Sequence, residues 1–141
     1  MTASFNIRNA LVCDDARREM NGKSILIGVY NDVIVLPQFP FIVVPKLVFY
    51  MVVNPLGNKF STVEFRMTDS AGNKVFEISG GLSPYDPSES MPIVIQAVGL
   101  TFASAGTYTM ELALDGTKVA AGDITARLPK SPQEQQQLAA T

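Results

Sequence analysis

Successive side chains of an extended chain point to opposite faces, so apolar residues at every second position mark a strand with one buried and one wet side. Two stretches keep that period cleanly. Across Ser61 to Asp69, Val63, Phe65 and Met67 alternate with Thr62, Glu64, Arg66 and Thr68. Across Thr107 to Asp115, Tyr108, Met110, Leu112 and Leu114 alternate with Thr107, Thr109, Glu111 and Ala113. Helical spacing of apolar residues is hard to find before the C-terminus. The pattern therefore predicts an all-β fold.

Turn signals divide the strands. Asn21-Gly22, Ser70-Ala71-Gly72-Asn73 and Asp115-Gly116 each lie between strand-like runs. Asn-Gly and Asp-Gly suit tight hairpins whose two central residues need positive φ. Asp115-Gly116 joins Thr107–Leu114 to Thr117–Leu128 with only two residues. Strands are expected over 5–13, 23–36 with a break near Asn31-Asp32, 46–54, 61–69, 73–79, 92–102, 106–115 and 117–128. Seven or eight short strands at this spacing predict an antiparallel β-sandwich. A chain of 141 residues, 47% apolar and 17% charged, suffices for one core. The domain is expected to span 1–130, followed by a tail over 131–141.

Lys46 to Val53 is apolar on both phases, so both of its faces should be covered, either by the other sheet or by an intermolecular contact. Pro37, Pro40 and Pro45 surround Phe39 and Phe41. Proline lacks the donor that a ladder needs, so this stretch should be an edge or crossover. Gly80 to Pro92 is the longest expected loop. In the tail, Ser131, Pro132 and Glu134 have the form of a helix start with a capping box, and predict a short helix.

The chain contains no histidine. That removes Ser-His-Asp and Cys-His catalysis and every histidine-containing metal site. Cys13 is the sole cysteine, so no intrachain disulfide forms, and Asp14 and Asp15 beside it work against a thiolate. No phosphate-binding glycine motif occurs. No residue is singled out as catalytic, cofactor-binding or metal-ligating. The net charge of −2 with scattered Lys and Arg argues against nucleic-acid binding. No apolar run approaches the length of a membrane span, and Met1–Asn9 does not read as a secretory leader. A cytoplasmic product, bacterial or phage-associated, is expected.

The most unusual stretch is Cys13 to Lys23. Asp14, Asp15, Arg17, Arg18, Glu19 and Lys23 put three acids and three bases into eleven residues. It reads either as a solvated hairpin with weak local ion pairs or as a recognition patch at one end of the sandwich.

Two resemblances follow from these residues. Gly106-Thr-Tyr108, preceded by a small turn, resembles the tyrosine corner of immunoglobulin-like sandwiches, which implies that the Tyr108 hydroxyl pins a crossover between sheets. The strand after it ends in Asp115-Gly116 and the last strand returns, as F and G do there. The cysteines and tryptophan of antibody domains are missing. Second, Asp14, Asp15, Arg17 or Arg18, Glu19, Gly22 and Lys23, leading into Gly28 and Tyr30, are similar to the opening of a family of small bacterial proteins known only as a domain of unknown function. That resemblance implies provenance and no activity.

The expected role is a non-enzymatic interaction or structural module with a protein partner, or with a second copy joined through an edge strand. One rival is a C2-like calcium- or lipid-binding domain that brings Asp32 or Asp69 together with Asp86. The other is an enzyme built on paired carboxylates.

Overall fold

The computed structural model describes residues 4–140, with side chains through Gln137. In chain order the elements are β1 (Asn6–Arg18), β2 (Ser24–Tyr30), β3 (Val33–Val35), β4 (Phe41–Ile42), β5 (Leu47–Asn54), β6 (Thr62–Thr68), β7 (Lys74–Gly81), β8 (Met91–Ala97), β9 (Thr101–Phe102), β10 (Gly106–Leu114), β11 (Thr117–Arg127) and α1 (Pro132–Ala140). The strands form a four-stranded sheet in the order β2-β1-β5-β8 and a five-stranded sheet in the order β3-β11-β10-β6-β7. A two-residue ladder, β4-β9, stands apart. The fold is the expected β-sandwich with a short C-terminal helix.

From β5 onward the chain switches sheets as an immunoglobulin-like domain does. β5 and β8 adjoin in one sheet, while β6, β10 and β11 adjoin in the other, matching B–E and C–F–G. The tyrosine corner is present. Tyr108 is buried, donates from Oη to the Ser104 carbonyl at 2.5 Å, and meets Phe102 edge-on at 4.9 Å. Met110 stands two residues later, where antibody domains carry their second cysteine. The inner layer is joined by rings instead. Phe49 of β5 lies 4.6 Å from Phe65 of β6, and Phe76 of β7 lies 6.4 and 6.2 Å from them.

The Asp115-Gly116 hairpin takes positive φ at both residues, 48° and 82°. Asp115 also works across the sheet. Its Oδ1 accepts from the Ser61 amide at 2.9 Å, the Thr62 amide at 2.8 Å and the Thr62 hydroxyl at 3.0 Å. Those donors, the Thr62 amide foremost, hold its carboxyl below the usual range.

The largest departure from the sequence reading is β1. It runs on through Asp14, Asp15 and Arg17 to Arg18, where the strand was expected to stop at Cys13. Pairing of β1 with β5 ends at Cys13↔Val48, but pairing with β2 continues from Val12↔Tyr30 to Arg18↔Ser24. The hairpin therefore projects beyond the sheet as a two-stranded arm. It does not project straight. Tyr50 is registered with Leu11 and Ser24 with Arg18, a spacing of roughly 23 Å along an extended strand. Yet Tyr50 Oη donates to Ser24 Oγ at 3.0 Å. The arm must curl back over the outer face of the sheet. The curl starts where the ladder skips Asp14 and Gly28, and Gly28 there has φ +68°.

This arm supplies the cover that the two-sided β5 requires. Leu47, Phe49, Met51 and Val53 face the core, and Val48, on the opposite face, is buried as well. Cys13, its partner in the ladder, is fully buried beside it. Burial, followed by the nearby Asp14 charge, pushes the Cys13 thiol up, away from thiolate chemistry.

Candidate functional site

Between the root of the arm and the start of β5 lies a groove of about 810 Å³, within the usual size range of ligand pockets. Its floor and walls come from Ile34 of β3 and the proline-interrupted stretch that follows: Leu36, then Phe41, Val43, Val44 and Pro45 around β4. The Phe39–Pro40 and Val44–Pro45 peptides are both cis. Val44 on the groove and Ile42 beside it are 73% and 55% exposed, on a segment that carries Pro37, Pro40 and Pro45.

Polar groups sit at the rim. Asp14 Oδ1 accepts from the Tyr30 hydroxyl at 3.0 Å. Burial first, and then Asp14, pushes the Tyr30 phenol up to about 12. Gly28 makes that contact feasible, because a Cβ there would lie 2.2 Å from Asp14 Oδ2. Lys46 Nζ meets Asp15 Oδ1 at 3.0 Å, and Arg17 Nε meets Asp15 Oδ2 at 3.0 Å. Lys46, then Arg17, holds the Asp15 carboxyl below its usual value.

The last wall is α1, which contributes Gln135. The expected capping pattern forms: the Glu134 amide donates to Ser131 Oγ at 3.2 Å and the Lys130 amide to Glu134 Oε1 at 2.6 Å. A contact between distant elements was not legible. Arg127 at the end of β11 grips Glu134 with both terminal nitrogens, at 2.8 and 2.9 Å. Arg127 foremost, with the Lys130 amide, lowers the Glu134 carboxyl to about 2. A depressed carboxylate contributes stability above its unfolded value near 4.3, and that contribution disappears as pH falls through the folded value. The Gln135 amide resonance is expected to keep its docked position down to about pH 3 and to shift toward that of a free peptide near pH 2. In Glu134→Gln it should hold the free-peptide position already at pH 7.

The charged stretch singled out in the sequence is divided by the fold. Asp14 reaches the groove, and Asp15 and Arg17 flank it through Lys46. Glu19 and Lys23 close the arm's tip, where the Glu19 amide donates to the Lys23 carbonyl at 2.8 Å. Arg18 faces a second hollow, beside Val94 and Tyr85. Asp69 caps its own turn through the Ala71 and Asn73 amides, and Asp86 binds Ser88 in the 82–90 loop. Among the described residues no three His, Cys, Asp or Glu side chains gather as a metal cluster, and no helix is long and apolar enough to cross a membrane.

Comparison with known families matches residues 8–127 to a family of unknown function, DUF6941. The chain belongs to the DUF6941 family. The match takes in nearly all of β1 and every later strand of this DUF6941 domain, including the arm and the groove floor, and ends at Arg127, before α1. No curated protein matches the chain.

Proposed function

We propose that this DUF6941 domain is a non-enzymatic interaction module that holds an apolar segment of a partner protein in the groove beside its first hairpin. The observation that carries this reading is the apolar groove lined by Ile34, Leu36, Phe41, Val43 and the 73% exposed Val44, on a stretch braced by Pro37, Pro40 and Pro45. A stiff apolar surface loses little conformational freedom when covered, so burial there contributes to affinity with a small ordering cost. Asp14, Tyr30, Lys46 and Gln135 at the rim add the polar contacts that fix an orientation. A chain without histidine, with its one thiol buried, supports binding over catalysis. The reduced Cys13 supports a cytoplasmic setting in a bacterium or phage-infected cell.

The test is site-specific photocrosslinking. A benzophenone amino acid at position 44, in the chain expressed from its own locus, is expected to give one discrete protein adduct. Phe41→Asp should abolish that adduct, and the same probe at Lys118, on the far hairpin, should not form it. Adducts that are equally abundant from both positions, or unaffected by Phe41→Asp, would overturn the reading.

A further inference from the structure

The two main sheets end in four edge strands, and three carry devices that block pairing with another chain. β2 is kinked at Gly28 and belongs to the curled arm. β3 has three residues. β7 carries Lys74 and Glu77, which form an ion-pair chain with Arg66, and its ladder to β6 is bulged between Met67 and Thr68. Charges, prolines, bulges and shortness are the usual protections of a sheet edge.

β8 has one such device, Pro92, and it sits near the strand's start. Met-Pro-Ile-Val-Ile-Gln-Ala carries no charge, and its ladder to β5 runs from Met91↔Val53 to Ala97↔Leu47 without a shift. Pro92 is the single residue lacking a donor. Among the described residues no strand pairs with its outer edge. Val94 borders an open hollow of about 520 Å³ that it shares with Arg18 of the arm, while Ile93 and Ile95 are buried in the core.

We infer that β8 pairs with β8 of a second copy, antiparallel and centred on Val94, making one eight-stranded sheet through two sandwiches. The strand fits itself about a two-fold axis. Val94 meets Val94, Ile93 meets Ile95 and Met91 meets Ala97, so core-facing residues meet core-facing ones. Pro92 meets Gln96 and Val94 meets its twin on the outer face. A closed two-fold contact needs such self-complementarity, and pairing removes the least protected of the four edges. Val94 lies outside the groove of residues 34–46, so this inference and the groove reading can fail separately.

Sedimentation at high micromolar concentration is expected to show twice the 15.2 kDa of one chain. Val94→Lys sets two ammonium groups face to face at the axis and should give a folded monomer, while Ile78→Lys on β7 should leave the dimer. The register has its own readout. Val94→Cys places two thiols directly opposite, within disulfide reach, and should oxidise to a linked dimer. Gln96→Cys twins would be offset by four residues, about 13 Å, and should stay unlinked. A monomeric wild type would overturn the inference and leave β8 to a strand from another protein. A dimer that survives Val94→Lys, or Gln96→Cys linking more readily than Val94→Cys, would also overturn it.

Discussion

Phe65→Ala is expected to cost about 3–5 kcal/mol, the range for removing a fully buried ring, and so to remove much of a stability that for such domains is about 5–15 kcal/mol. Phe65 is fully buried at the centre of β6 and packs against Phe49 from the opposite sheet and Phe76 from its own. No disulfide joins the layers, since Cys13 is the only cysteine and is unpaired. The ring cluster therefore does the joining. Deleting one ring leaves a cavity between two sheets whose ladders resist collapse, and that puts the cost toward the upper end of the range. Urea denaturation followed by far-ultraviolet dichroism measures it. Phe65→Leu, which keeps most of the volume, should cost about 1–2 kcal/mol.

Gly28→Val is expected to cost about 2–4 kcal/mol by two separate routes. A branched side chain at φ +68° is strained by about 1–3 kcal/mol. Its Cβ would also sit 2.2 Å from Asp14 Oδ2 and 2.8 Å from Asp14 Cγ. Asp14 can swing away, but it then releases the Tyr30 hydroxyl. The second route has a specific signature. With Asp14 displaced, the Tyr30 phenol should ionise below the about 12 of the native protein, which spectrophotometric titration detects. Asp14→Asn removes the charge without the strain and should lower the Tyr30 value while sparing most of the stability. The sign of the pH effect follows from the same shift. A phenol raised above its ordinary value of about 10 contributes stability that is complete below pH 10 and is lost as pH rises toward 12.

Much of the framework was legible because it rests on local rules. The alternation in 61–69 and 107–115 placed β6 and β10, Asp115-Gly116 placed their neighbouring turn, and Gly106-x-Tyr108 announced the corner. Ser131 and Glu134 announced the helix start. The arm was hidden because its charges suit either a loop or a strand with two wet faces. What makes Asp14–Arg18 a strand is the matching run Ser24–Gly28 across the ladder, and what bends it is a single glycine whose need appears only when Asp14 lies over it. Val48 and Tyr50 signalled that β5 is covered twice without naming the cover. The groove was visible only as an apolar stretch cut by prolines. Its walls come from β1, β2, β3 and α1, and the Arg127–Glu134 clasp that holds α1 joins residues with no shared local pattern.

The most direct measurement is the footprint of the crosslinked partner, once purified, mapped by amide hydrogen exchange on the intact chain. Slowed exchange at residues 41–46 and around Asp14 and Tyr30, with the far hairpin at Asp115-Gly116 unchanged, is the predicted result. Protection centred on that far hairpin, with 41–46 exchanging as in the free protein, would contradict it.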